Sequence, residues 1–136
     1  MTVGDAMIHF PEVFPPEATV GQVRERFTDD HQHAVLIVRD GELLAVLERP
    51  DLAGLPDDLP AARFGRLTDR VVPPDTDLES TRLTMVAERR RRLAVVDPDG
   101  GLLGLLCLKR TGLGFCSDEG VRARKADRAH PVCGKV

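Results

Sequence analysis

Three groups of residues in this sequence carry side chains able to do chemistry. Arg89, Arg90, Arg91 and Arg92 are consecutive, and guanidiniums at that density can hold a phosphate through paired hydrogen bonds. At the C-terminal end of a helix the same run would complement the helix dipole in solvent. The solvated role is the expected one, with Arg92 as a phosphate candidate if it faces a binding cleft. His31 and His33 stand two apart before an apolar run, but without Cys, Asp or Glu at metal-ligand spacing they are expected to be loop histidines. Cys107, Cys116, His130 and Cys133 could gather around zinc, yet the Cys-x2-Cys spacing is missing, and no metal site is expected.

Signals of catalysis are absent from the sequence. It has no nucleophile-elbow motif, no glycine-rich phosphate loop and no HExxH, each of which would place a nucleophile, a phosphate or a metal at a defined point. No pair of acids stands isolated in an apolar setting that would tune one as acid and one as base. The expectation is a protein that is not an enzyme.

Bulk properties narrow the remaining classes. The 136 residues are 42% hydrophobic, enough for one compact body or two half-size units sharing a core. Nineteen basic against 22 acidic residues leave a net charge of −3, which gives no general attraction to nucleic acid. Aromatics amount to 4%, with no Trp or Tyr, so a base-stacking platform is not expected either. Apolar runs are too short to cross a bilayer, Met1–Asp5 lacks the features of a secretion signal, and the three cysteines are odd in number and irregularly spaced. A cytoplasmic location, no membrane association and reduced thiols are expected.

The elements that must position these side chains come in two copies. Val13-Phe14-Pro15-Pro16-Glu17-Ala18-Thr19-Val20 matches Val71-Val72-Pro73-Pro74-Asp75-Thr76-Asp77-Leu78 at an offset of 58 (71 − 13 = 58), which also carries Val35–Val38 onto Leu93–Val96. Thr19 with Gln22 forms a capping-box pattern ahead of the apolar stripe Val20, Val23 and Phe27, so a helix starts near Val20. In the second copy Asp77 is the N-cap candidate and Leu78, Met85 and Val86 are expected to face inward, with Thr81 weakening the stripe. Each helix leads to a hairpin, Ala34–Val38 with Leu43–Leu47 and Leu93–Val96 with Leu102–Leu108. Continuous apolar runs there imply strands covered on both faces. A short helix is expected after each hairpin, at Pro50–Leu55 and near Arg110–Gly114.

The expected organisation is a first repeat at 1–55, a linker at 56–66, a second repeat at 67–113 and a polar, poorly ordered tail at 114–136. The linker is read from Pro56, Pro60 and the acidic pair Asp57-Asp58, composition that usually marks connecting chain.

These features together resemble the cystathionine-β-synthase (CBS) domain family, in the tandem form called a Bateman module. The resemblance rests on Val3-x-Asp5-x-Met7, Leu67-Thr68-Asp69, the helix starts Pro16–Val20 and Pro74–Leu78, the run Arg92-Leu93-Ala94-Val95-Val96-Asp97, and the glycine turn before Leu102-Leu103-Gly104. It implies an α/β fold of two β-α-β-β-α repeats packed with pseudo-twofold symmetry into one compact module with two inter-repeat clefts. It further implies a non-catalytic regulatory sensor, an adenosyl-containing ligand such as ATP, AMP or S-adenosylmethionine, and a homodimer.

Nucleotide-binding members of that family carry Gly-hydrophobic-x-(Thr/Ser)-x-x-Asp after the hairpin, where a carboxylate can accept both ribose hydroxyls. In the first copy the aligned residues run from Ala45 to Asp51, so Asp51 is the ribose candidate. Glu48 replaces the hydroxyl and would repel phosphate. Read without the family, Asp51 is a cap or exposed acid at a helix start. In the second copy Gly104 is retained, but Cys107 replaces the hydroxyl and Arg110 the carboxylate, so the two sites are expected to differ. The alternatives are a structural or protein-interaction homodimer with empty clefts and, more weakly, nucleic-acid binding through the arginine run with Arg122, Arg124, Lys125 and Arg128.

Overall fold

The computed structural model describes residues 1–118. Helix α2 (Val20–Arg26) begins at the capping box: the Gln22 N–H donates to Thr19 Oγ1 at 3.2 Å and the Thr19 N–H to Gln22 Oε1 at 2.9 Å. Its stripe of Val20, Val23 and the following Phe27 is buried against the hairpin of β1 (Val35–Arg39) and β2 (Glu42–Leu47). Asp40 and Gly41 both adopt positive φ, 50° and 83°, the geometry a tight hairpin turn requires. The second unit places β3 (Val71–Val72) parallel to β4 (Arg92–Val96), which pairs antiparallel with β5 (Leu102–Cys107). Across them lies α3 (Leu78–Glu88), capped by Asp77, which accepts the Ser80 N–H at 2.9 Å. A four-residue helix α1 (Val3–Ala6) and 3-10 turns at Arg49–Leu52 and Ala61–Phe64 complete the described elements.

The two units match in register as well as in order. Phe14 bridges Ile37 in parallel as Val72 pairs with Val95, and both hairpins carry an irregularity at the same place, between Ile37 and Val38 and between Val95 and Val96. The duplicated α/β unit read from the sequence is therefore the fold, with local differences. The opening strand of the first unit is reduced to the single Phe14 bridge. The helix expected near Arg110–Gly114 is a reversal instead: Gly112 takes φ 74°, the Lys109 N–H donates to Gly114 O at 2.8 Å, and Phe115 returns alongside Leu108. On α3, Met85 and Thr81 are buried but Val86 is 46% exposed. One position past Met85, Val86 is turned about 100° away from the buried stripe.

The Pro- and Asp-marked segment at 56–66 is packed chain. Ala61 is fully buried, and Leu55, Leu59, Ala62 and Phe64 pack on the first unit's core. Its backbone is tied in by Val20 N–H to Leu59 O at 2.8 Å and Ala61 N–H to Ala18 O at 2.9 Å. The N-terminal residues do the same for the second unit, with Val3 N–H to Thr76 O at 2.9 Å and Ile8 N–H to Leu105 O at 2.7 Å. The bridges Ile8 to Leu105 and Arg66 to Val46 are counterparts. Each unit is thus closed by the segment that precedes the other. Between the sheets a third cluster, centred on Leu36 and Ala94 with Leu43 and Val46, joins the units. The hairpins also meet at their turns, through Leu43 N–H to Gly100 O at 3.0 Å and Leu102 N–H to Gly41 O at 2.9 Å.

Candidate functional site

The inter-unit face carries two groups of polar side chains, one at the end of each hairpin. At the first, the chain leaves β2 into the 3-10 turn Arg49–Leu52, and Asp51 caps that turn by accepting the Glu48 N–H at 2.7 Å. Arg70, directly ahead of β3 in the second unit, reaches across. Its Nη1 donates to Asp51 Oδ2 at 2.6 Å and to Val46 O at 2.7 Å, its Nη2 donates to Asp51 Oδ1 at 3.2 Å, and Nη2 lies 3.2 Å from Glu48 Oε1. Arg70 is 3% exposed, so this is a buried ion pair between the two units.

Burial works to raise the Asp51 pKa, but the Arg70 hydrogen bond, the Glu48 N–H and the Arg70 charge together hold it below the ordinary value. The carboxylate is therefore ionised at neutral pH. Arg90 extends the group, with Nε 4.0 Å from Glu48 Oε2 and Nη1 donating to Asp69 O. The Nε atoms of Arg70 and Arg90 are buried without a hydrogen-bond partner. Two carboxylates thus face two guanidiniums that retain donor capacity. Both oxygens of Asp51, the ribose candidate, are engaged by Arg70, so a diol bound there would share them with the guanidinium.

The second group is of a different kind. Arg92 and Cys107 are opposed across β4 and β5, on the sheet face shared with Ala94 and Leu105 that meets the other unit. Arg92, the phosphate candidate, is half-buried and donates from Nη1 to Arg91 O at 3.0 Å and from Nη2 to His31 O at 3.3 Å. Arg91 donates to Leu108 O at 3.0 Å. Arg49 closes the far side, donating to Phe27 O and Asp29 O at 2.9 Å and standing 5.2 Å from the centre of the Phe27 ring. His33 sits among these cations, and its pKa is pushed down to about 4 by burial first and then by Arg92, Arg91, Arg49 and His31. Arg110 is exposed, and among the described residues it forms no ion pair.

The arginine run is therefore not one solvated patch at a helix end. Helix α3 has no basic residue in its last turn, and Arg89 follows it in left-handed conformation at φ 57°. The chain then turns into β4, so Arg90 goes to the first group while Arg91 and Arg92 go to the second. The structure brings Cys107 together with Cys116. His130, Cys133 and the basic residues Arg122, Arg124, Lys125 and Arg128 lie outside the described residues, as does most of the expected tail. No cluster of three or more His, Cys, Asp or Glu able to hold a metal occurs among the described residues. Arg70 escaped the sequence reading. Its signal was present in the repeat: the offset of 58 aligns Arg70 with Glu12, and past the hairpin turn, one residue longer in the second copy, an offset of 59 aligns Asp51 with Arg110.

The chain matches the model of the CBS domain family twice, over residues 3–57 and 68–110, and it belongs to that family. No curated protein matches the sequence. Among solved structures, CBSX2 in complex with AMP is 25% identical, with a TM-score of 0.66 over 93% of this chain and 98% of that one. The cytosolic domain of the Mg2+ channel MgtE in complex with ATP is also 25% identical, with a TM-score of 0.62 over 79% of this chain and 46% of that one. The CBS domains of a transcriptional regulator from Streptococcus pneumoniae share the fold at 14% identity, with a TM-score of 0.67 over 79% of this chain and 92% of that one. The fold is thus that of a CBS pair, and no helix among the described residues is long and apolar enough to cross a membrane.

Proposed function

We propose that this CBS pair is a non-catalytic cytoplasmic sensor that binds an adenosyl-containing ligand at the Asp51 end of the inter-unit face and converts occupancy into a changed relation between its units. The observation that carries this reading is the Asp51–Arg70 ion pair. Asp51, the ribose candidate, belongs to the first unit and is held by a guanidinium of the second. Ligand and inter-unit link compete for the same two oxygens, which couples binding to conformation through differential contacts. The AMP and ATP complexes of structures 25% identical to this chain support the ligand class. Arg92, on the other group, is the phosphate candidate, and pairing of Glu48 with the Arg70 and Arg90 guanidiniums offsets the repulsion that it would exert on a phosphate.

Calorimetric titration with AMP, ATP and S-adenosylmethionine tests the reading. One of them is expected to bind stoichiometrically and to raise the melting temperature, since a ligand specific to the folded state stabilises it. Asp51→Asn should weaken that binding at least tenfold. Absence of binding by all three would sink it in favour of the second reading, a structural homodimer with empty clefts. That reading has an observation of its own: Leu83 and Val86 on α3, with Leu113 beside them, are 55%, 46% and 81% exposed, an apolar face suited to a second copy of the chain. Light scattering would then show a dimer without any nucleotide response. The arginine run is divided between two groups, which separates the charges that the nucleic-acid reading would join.

A further inference from the structure

We propose that Cys107 and Cys116 are an oxidation site, a vicinal thiol pair that closes to a disulfide on the second group of the inter-unit face. Leu108 and Phe115 form an antiparallel bridge flanked by Lys109 N–H to Gly114 O and Cys116 N–H to Cys107 O, both 2.8 Å. Cys107 and Cys116 are therefore directly opposite one another. Opposed residues of an antiparallel pair have Cα atoms about 5.5 Å apart and side chains on the same face. A disulfide needs a Cα separation of about 4.4–6.8 Å, so the backbone already meets the requirement.

The surroundings supply the second observation. On its other side Cys107 is opposed to Arg92, so Arg92, Cys107 and Cys116 form one row across three adjacent segments. Arg91 lies within electrostatic reach of both sulfurs: its pKa is lowered by burial and by Arg92, while Cys116 and Cys107 act in the opposite direction. Cys116 is half-buried and Cys107 almost fully buried, which gives an oxidant access to Cys116 first and makes Cys107 the resolving thiol.

The oxidant is a peroxide. The Cys116 thiolate attacks one peroxide oxygen, the O–O bond breaks, a sulfenic acid forms and, with one proton, water leaves. The Cys107 thiol then attacks the sulfenic sulfur, the S–S bond forms, the S–O bond breaks and the second water leaves. Two thiols and one hydrogen peroxide become one disulfide and two waters. The new bond fixes the reversal at 108–115 and with it Asp118, which accepts the His9 N–H at 2.6 Å and stands 2.8 Å from His9 Nδ1. The segment after β5 is then fastened to the N-terminal segment that closes the second unit. This site is independent of the adenosyl reading.

The test uses the full chain as Cys133→Ser, leaving Cys107 and Cys116 as its thiols, treated with stoichiometric hydrogen peroxide. The expected result is loss of both titratable thiols under denaturing conditions, a monomeric covalent species, a mass lower by about 2 Da and full recovery with dithiothreitol. Trypsin should release peptides Leu93–Lys109 and Thr111–Arg122 joined by the disulfide. Closing the loop should raise the melting temperature by about 5 °C, and Cys116→Ser in the same background should abolish the linked peptide and the shift together. Thiols that survive the peroxide, chains linked to each other, or cysteines oxidised singly would each overturn the proposal.

Discussion

Where the first unit sets Asp51 against Arg70, the repeat, at offsets of 59 and 58 on either side of the hairpin turn, sets Arg110 and Glu12 in the second, the same two charges exchanged. The first pair is buried and bidentate. The second does not form: Arg110 and Glu12 are exposed, and Glu12 pairs with Arg26 at 2.7 Å on the surface. Complementary charge at equivalent positions is thus not sufficient. Arg70 is enclosed because it leads directly into β3, whereas Arg110 stands at the start of the reversal through Gly112 and is turned to solvent. Enclosure makes one pair an inter-unit fastening and leaves the other group with the guanidiniums of Arg91, Arg92 and Arg49 around a neutral His33.

The largest effect that can break this contrast is removal of Arg70. Arg70→Ala leaves the half-buried Asp51 charged without its guanidinium and Val46 O with only the Arg66 N–H, 3.0 Å away, and should cost about 2–4 kcal/mol in urea denaturation. Glu12→Ala, the equivalent deletion on the other side, should change stability by no more than about 0.5 kcal/mol. Similar costs for the two would show that the buried pair is not what fastens the units.

A smaller loss is expected when both members of the pair are replaced by neutral side chains. Asp51→Asn with Arg70→Met removes the buried charge altogether, and such replacements are often close to neutral once packing is kept. The double variant should therefore be more stable than Arg70→Ala alone, with a coupling energy of at least about 1 kcal/mol in a double-mutant cycle. Additive losses would mean that Arg70 acts through Val46 O and packing, not through Asp51.

Much of this contrast can be read from the sequence and part of it cannot. The offset of 58 predicts the bridge of Phe14 to Ile37 from the pairing of Val72 with Val95, because duplicated apolar runs impose duplicated register. Past the longer second turn the offset becomes 59, and it marks Cys107 and Arg110 as departures from Glu48 and Asp51. Composition marks 56–66 as connecting chain and does not show that Leu59, Ala61 and Phe64 pack on the first unit's core. Local composition reports backbone preference; it does not report which distant segment a few apolar side chains will cover. The same limit hid Arg70, since the burial of a lone arginine depends on contacts with Val46 and Asp51, about twenty positions earlier.

The two groups should also separate on acidification. His33 is ordinarily 6.5 and is pushed down to about 4 in the fold, so between those values the unfolded chain binds a proton that the folded chain does not. Stability contributed by the neutral histidine should fall as the pH drops from about 6.5 toward 4. Asp51 is lowered from an ordinary 3.8, so its contribution persists through that window and is lost only at lower pH. His33→Gln should flatten the melting-temperature profile between pH 6.5 and 4, and Arg70→Ala should leave that slope in place. An unchanged slope in His33→Gln would remove the cationic surroundings from the account.

The smallest effect is the most discriminating for the second group. Arg110 occupies the position of a carboxylate that would bind ribose, and in the structure it is solvated and makes no ion pair among the described residues. Arg110→Ala should alter stability by less than about 0.5 kcal/mol and leave the affinity for any adenosyl ligand at the Asp51 group unchanged in the same titrations. A loss of several-fold in that affinity would mean that the ligand reaches across to the second hairpin, and the two groups would then be one site with two halves. Unchanged affinity, with Asp51→Asn still weakening it tenfold, would establish that duplication of the fold has left the two positions with separate work.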